Sequence, residues 1–441
     1  MDLQSAPSVP AGASPGAGAG VRERVASRDV TRPGGAPPDV PGRVMIVVEN
    51  EAAFGDHRVS KQVGTLLQHG YRVSVITRRN ERNRRYRGHP HVHVLEYPPP
   101  PERGGLPGYL VEYGYSFFAA AFLSLRIILR ERIDVVQFCG PPDVYFPLAR
   151  MLSRLGVRVV VDQRDLTPEL YVARYGKASG RMLSALKFLE RQSHRSADYV
   201  IAMNEYFRSR VLEASGLPPD RVWVIRNGPL LDRVSHARGD PALKGGRRHL
   251  CCWVGVMGRQ DRVDLLVRSI HHLVHERGRD DCQFVIIGYG EFLAGARALV
   301  REANLTEWVH FTGRLEPDDV FRYLATSDLG LDASLQFEVT PVKAFEYMAF
   351  GIPFVAFDLP ETRVVADGAA VLVAPGDVVA HARAIDVLLS SPEQRRRLGR
   401  AGQARVREEL AWDHQALTYA RLMRQLCPGG IRPPDQAAVL K

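Results

Sequence analysis

Short runs rich in Val and Ile alternate with segments of helical period, and the alternation occurs twice in one chain. Val44–Val48 carries no polar residue and suits a strand covered on both faces. Val59, Val63, Leu66 and Leu67 then share one helical face, which Gly70 closes. Val73–Thr77, Val92–Leu95, Val135–Cys139, Val157–Val161, Tyr199–Met203 and Val222–Ile225 continue the strands. Helical segments such as Met182, Leu183, Leu186 and Leu189 lie between them, and this order requires parallel strands covered by helices. The pattern breaks at Asn227-Gly228-Pro229, and the Arg-, Gly- and Pro-containing stretch to Leu250 reads as a linker. A second series follows in Cys251–Gly255, Phe284–Gly288, Val309–Thr312, Leu329–Asp332, Phe354–Phe357 and Ala370–Val373, with a final helix over Trp412–Leu426.

A chain of 441 residues exceeds what one core usually organises. The expected architecture is α/β: two doubly wound Rossmann-like domains facing across a cleft, where such sheets bind ligands. The expected boundaries are a disordered tail over 1–41, a first domain over 42–228, a linker over 229–250 and a second domain over 251–411. A C-terminal helix over 412–428 and a tail over 429–441 complete the chain.

Composition excludes several classes. An apolar share of 45% with 24% charged residues is globular. Residues 1–41 are rich in Ala, Pro, Gly and Ser and have no apolar stretch of the secretory kind. Cys139, Cys251, Cys252, Cys282 and Cys427 have no metal-ligand spacing, and a reducing cytoplasm suits them. The apolar segment Tyr109–Leu129 contains Glu112 and Arg126 and leads into a strand, so it reads as a core helix rather than a membrane span.

The net charge of +10 belongs to the first domain, where 28 Lys and Arg face 18 Asp and Glu between Gly42 and Gly228. Arg78, Arg79, Arg82, Arg84, Arg85 and Arg87 crowd one inter-strand segment. It is either a solvated loop or a patch for an acidic acceptor or the anionic inner face of a membrane. Nucleic acid is not expected, because only Tyr86 interleaves with these arginines and no nucleic-acid motif is present.

The segment richest in chemistry runs from Phe337 to Gly351. Thr340 and Pro341 read as an N-cap and first residue of a helix that Gly351 and Pro353 end. Its free N–H groups would suit a diphosphate. Val342, Phe345, Met348 and Ala349 can pack inward, leaving Lys343 and Glu346 together on a neighbouring face. Lys343 can neutralise phosphate and Glu346 can accept from sugar hydroxyls, or the two form an ordinary i,i+3 pair.

Glu338 and Glu346, with seven residues between them, resemble the two-glutamate signature of retaining glycosyltransferases of family 4, which have the GT-B fold. Glu346-Tyr347-Met348-Ala349 followed by Gly351, Pro353 and Asp358 resembles that family's donor-site helix and next strand. Asp56-His57-Arg58-Val59-Ser60-Lys61 and Gly140-Pro141-Pro142-Asp143 resemble its first-domain loops. Asp162 through Asp165-Leu166-Thr167-Pro168-Glu169-Leu170-Tyr171 resembles its Asp-His-His-Asp-Leu segment and Pro-Glu-Leu-Tyr run. Asn204-Glu205, Asn227-Gly228-Pro229, the stretch from Gly255 to Asp264, Gly288-Tyr289-Gly290 and Phe311-Thr312-Gly313 complete the order.

The resemblance implies that Glu346 binds the donor ribose and that Glu338 lies near the transferred sugar, with Asp165 as a second catalytic candidate. It implies Gly313 and Arg314 near the nucleobase, and Arg259, Arg262, Thr340 and Lys343 around the diphosphate. Asp56, His57, Arg58 and Arg164 would lie on the acceptor side. Many relatives have an Arg and a Lys in the first loop of the second domain, where Arg259 and Arg262 stand here. Gln163 and Arg164 occupy positions where close relatives carry His, so that histidine's role does not transfer, and Arg164 is either functional or a surface charge.

The implied activity moves a hexose-type sugar from a nucleotide-diphosphate-sugar to a lipid-linked, cell-surface glycan or small-molecule acceptor with retention. No metal motif is present, so no metal or other cofactor is expected. A nucleotide-sugar epimerase of the same fold and a non-catalytic sugar-nucleotide-binding protein are the alternatives.

Overall fold

The computed structural model describes residues 42–49, 57–100, 105–176, 179–338 and 340–427, with residues 57, 105–107, 109, 110 and 173–175 described in their backbone only. The expected tails over 1–41 and 429–441 lie outside these residues, as does Asp56.

Seven parallel strands form the first sheet: β1 (Arg43–Val48), β2 (Arg72–Arg78), β3 (Val92–Tyr97), β4 (Val135–Gly140), β5 (Arg158–Gln163), β6 (Tyr199–Ala202) and β7 (Val222–Val224). Their order is β3-β2-β1-β4-β5-β6-β7. The second sheet is also parallel, with β8 (His249–Val256), β9 (Cys282–Tyr289), β10 (Val309–Gly313), β11 (Leu329–Leu331), β12 (Phe354–Phe357) and β13 (Ala370–Val373). Its order is β10-β9-β8-β11-β12-β13. Each sheet thus winds outward in both directions from a central strand pair.

Alternate residues of β1 feed two cores. Val44, Ile46 and Val48 pack on one face, Met45 and Val47 on the other, as the two-residue period of a strand requires. The first face is covered by Val59, Val63 and Leu66 and by the Trp412–Leu426 helix, which returns from the end of the chain. Trp412 Nε1 donates to Thr65 Oγ1 at 3.0 Å, and the Tyr419 hydroxyl donates to Gln137 Oε1 at 2.8 Å. Where the chain leaves and re-enters this domain it crosses itself: a Cβ on Gly228 would stand 1.8 Å from the Leu410 carbonyl oxygen, so only glycine fits.

The apolar segment that reads as a core helix in the sequence is a helix over Gly105–Ile128 that packs Phe117, Leu123 and Ile127 on the core but turns others of its large residues to solvent. Ser116, Ala120, Ser124 and Ile127 point inward, whereas Phe118 and Phe122 are 72% and 66% exposed. Ser116 donates to the buried Glu49 at 2.9 Å, and Arg78 pairs with both Glu49 and Glu112. Part of the inward face is therefore polar because it serves a buried carboxylate. The arginine segment is a short 3-10 turn over Glu81–Tyr86 rather than a plain loop.

Candidate active site

In the second sheet the winding reverses between β8 and β11, the point at which sheets of this kind hold their ligands. Lys343, in the helix Val342–Ala349, reaches this point. Its Nζ donates to Asp332 Oδ1 at 3.1 Å, just after β11, and lies 4.9 Å from the centroid of the Trp253 ring in β8. The turn Arg259–Asp261 closes beside them, with Gly258 N donating to Asp261 Oδ2 at 3.0 Å. Burial holds the Asp261 carboxyl above its usual range although Lys343 draws it down. The Tyr347 hydroxyl, 3.1 and 3.0 Å from the Cys252 and Leu331 carbonyl oxygens, fixes the helix to both central strands.

Glu346 lies on the open side of the same helix, half-buried. Its carboxylate makes no hydrogen bond or ion pair to another described residue. Removal from water pushes it up to about 7, against the attraction of Lys61, Lys343 and Arg233. Lys61 comes from the first helix of the first domain, so the cationic field on Glu346 is built by both domains. Lys343 and Glu346 are not the i,i+3 pair that their spacing allows, because Asp332 holds the lysine.

Two local expectations are corrected here. Pro341, not Thr340, is the cap residue, and no side chain caps the helix, because the Thr340 hydroxyl accepts from Asn204. Val342 faces outward and is 40% exposed.

Asn204 joins the domains at this place. Its Nδ2 donates to the Glu338 carbonyl at 3.0 Å and to Thr340 Oγ1 at 2.9 Å, while its Oδ1 caps the helix Glu205–Ser215 through Phe207 N. The rings of Tyr206 and Phe337 meet edge to face alongside. Glu338 itself is buried. Asn204→Ala is expected to lower stability by about 1–3 kcal/mol, since it strands buried polar groups and removes a cap. It should also speed hydrogen exchange in the first turn of the Val342–Ala349 helix. Exchange unchanged there would show that the bridge does not position this helix.

Of the other donor-side candidates, Arg259 is exposed and its side chain has no ion pair among the described residues. Arg262 differs: it is left-handed at φ 51°, and both Nε and Nη2 donate to Asp264 at 2.9 Å. Gly313 ends β10 with φ 72°, and Arg314 stacks on Tyr289 at the end of β9, 4.6 Å from its ring centroid. A Cβ on Gly288 would stand 1.8 Å from the Gly255 carbonyl oxygen, so glycine lets β8 and β9 approach closely at this edge.

On the first-domain side, Arg58 does not face an acceptor. It is buried, with Nε and Nη2 on the Asp162 carboxylate and Nη1 on the Ile225 carbonyl. Arg164 is not a surface charge either, being half-buried with Nε 3.4 Å from Asp162 Oδ2. Asp165 is half-buried, and burial raises its carboxyl. Near it burial pushes Asp143 up to about 6, with Asp165 adding repulsion. Burial likewise pushes Glu190 up to about 8, with Asp143 and Glu169 adding to the rise. These groups form a carboxyl cluster in which Glu190 is the member that holds a proton at neutral pH. His194 is buried and neutral, its Nε2 3.0 Å from Gln163 Oε1 and burial taking it down to about 4.

The sequence assigns no role to Asp332, Trp253, Lys61 or His194. Lys61 stands there only as the end of the Asp56–Lys61 segment, and Asp332 only as the acid ending a short apolar strand.

A family model described as "Glycosyl transferase 4-like domain" matches residues 56–228, and one described as "Glycosyl transferases group 1" matches residues 248–391. The chain belongs to the GT-B glycosyltransferases. A GDP-mannose-dependent alpha-(1-6)-phosphatidylinositol monomannoside mannosyltransferase of Mycobacterium tuberculosis is 27% identical over 68% of this chain and 78% of its own. An MMP alpha-(1->4)-mannosyltransferase of Mycolicibacterium hassiacum is 31% identical over 35% of this chain, and the match spans only 39% of that relative's length. The structure of sucrose-phosphate synthase from Thermosynechococcus elongatus superposes on this GT-B chain with a TM-score of 0.70, at 18% identity, covering 87% of it and 99% of the synthase.

Proposed function

We propose that this GT-B protein transfers a hexose-type sugar from a nucleotide-diphosphate-sugar to a hydroxyl acceptor, with retention and without a metal ion. The reading rests above all on Glu346, a half-buried carboxylate with no hydrogen-bond partner among the described residues, placed among Lys61, Lys343 and Arg233. Such a group is poised to accept from the ribose hydroxyls of a ligand whose phosphates those cations attract. In this reading the diphosphate takes Arg259, Lys343 and the free N–H groups at the start of the Val342–Ala349 helix. Arg314 on Tyr289 would flank the base, and Glu338 the transferred sugar. Asp165 and the carboxyl cluster would orient and deprotonate the acceptor.

Loss of the nucleotide diphosphate builds negative charge on the leaving oxygen, which fixed cations and backbone dipoles stabilise without reorganising. Among the described residues no group of three or more His, Cys, Asp and Glu is arranged to hold a metal ion. Turnover is therefore expected to survive exhaustive chelation with EDTA, and activity restored only by a divalent ion would contradict this. The mannosyltransferase relatives make GDP-mannose the first donor to try and a lipid-linked sugar the first acceptor, at the cytoplasmic side. A thermal-shift screen against UDP-, GDP- and dTDP-sugars tests the reading. A cognate donor at about 100 times its Kd should stabilise by roughly 2.7 kcal/mol. No stabilisation by any of them would contradict the reading. Product formed from donor alone would favour an epimerase.

A further inference from the structure

The Gly105–Ile128 helix is apolar on two faces, one packed on the core through Phe117, Ala120, Leu123 and Ile127 and one turned to solvent. Val111, Tyr115, Phe118, Phe122 and Leu125, with Leu129 just beyond its end, are all at least 37% exposed. Their spacing of four, three, four, three and four residues places them within a stripe about 80° wide at 100° per residue. The stripe is about 27 Å long, at 1.5 Å per residue. Water-facing helix surfaces are normally polar, so a continuous row of large apolar groups indicates an apolar partner.

The surroundings say which kind. Arg78 binds Glu112 at 2.6 Å, and Tyr97 meets Tyr115 ring to ring, so the turn Glu81–Tyr86 is tied to the first half of the helix. Arg79, Arg82, Arg84, Arg85 and Arg87 are exposed on and around that turn, while Arg126 and Arg130 border the stripe farther along. The surface is therefore an apolar row flanked by arginines, in the domain that holds the whole positive excess.

We propose that the first domain docks on an anionic phospholipid surface, with this stripe in the headgroup–acyl boundary and the arginines on lipid phosphates. The helix lies along the surface rather than across it, because Ser116, Ala120, Ser124 and Ile127 hold its other face to the protein. A second copy of the chain fits less well, since a two-fold contact through the stripe would bring the same arginines together.

The test uses the full chain and vesicles of phosphatidylcholine, alone or with about 30% phosphatidylglycerol to set the surface potential. Sedimentation should show tight binding to the anionic vesicles, weakened by salt, and little binding to the neutral ones. Phe118→Ser with Phe122→Ser should reduce anionic binding on the order of a hundredfold or more, by removing the apolar insertion of two rings. Arg82, Arg84, Arg85 and Arg87 all changed to Ser should reduce it on the order of a hundredfold or more. All six positions are exposed, so unchanged thermal unfolding should accompany both losses. Equal binding to both vesicle types, wild-type binding by either variant, or no vesicle binding at all would overturn the proposal. So would a dimer seen by analytical ultracentrifugation without lipid and abolished by the serine changes, which would give the stripe to a second copy.

Discussion

Arg58→Met is expected to destabilise the fold by about 3–5 kcal/mol, the usual cost of leaving a buried charge without its partner. Arg58 and Asp162 are 3% and 0% exposed, and their side chains meet through two short contacts, 2.9 Å at Nε–Oδ2 and 2.8 Å at Nη2–Oδ1. The third guanidinium nitrogen, Nη1, donates to the Ile225 carbonyl after β7, so one side chain ties the first helix to two parts of the sheet. Gln62 adds a bond to the same carboxylate at 2.9 Å. Burial raises the Asp162 carboxyl, but Arg58 and Arg164 outweigh it and hold the group down at about 2, below its usual 3.8.

A carboxyl with a depressed folded pKa stabilises above its unfolded value and loses that contribution as pH falls toward the folded one. The wild type should therefore lose stability between about pH 4 and 2 through this group. In Arg58→Met, burial acts with less opposition and favours the protonated form, so the deficit at pH 7 should shrink on acidification. Urea unfolding at pH 7 and pH 4 checks both statements. A deficit under about 1 kcal/mol at pH 7, or one that does not narrow at pH 4, would contradict them.

The thirteen strands of the described residues lie where the short apolar runs put them, because a strand covered on both faces is mostly apolar. The signal weakens where one element serves two purposes. Tyr109–Leu129 has the composition of a core helix, yet composition does not say which face turns inward. The order of Ser116, Ala120 and Ser124 against Phe118 and Phe122 carried that information in its phase. Arg58 misled for a different reason, since a lone arginine beside a loop reads as exposed until the distant Asp162 is known to meet it. The Lys343–Asp332 pair, the Asn204 bridge and the Lys61 field on Glu346 all join residues far apart in sequence. Local spacing could supply the residue types but not those partners.

Glu346→Gln carries the second large expected effect and bears on the donor site itself. If the carboxylate accepts from ribose hydroxyls, the amide keeps the shape but loses charge and half the acceptor capacity. A hydrogen bond to a charged group contributes roughly 1.5–3 kcal/mol, so nucleotide affinity should fall by about one to two orders of magnitude. Stability should move the other way. The Glu346 carboxyl is raised to about 7 by burial, so its ionised form costs folding stability above its unfolded value, and most fully above pH 7. Removing it should stabilise the empty protein at pH 8 by on the order of 1 kcal/mol or more. A glutamate with no part in the donor site would leave nucleotide affinity unchanged. Calorimetric titration of GDP, UDP and dTDP into wild type and Glu346→Gln at pH 8 is the most direct measurement. The proposed donor site requires one nucleotide to bind the wild type at least tenfold more tightly than the variant. Equal affinities in two folded proteins, or no binding of any of the three nucleotides to the wild type, would contradict it.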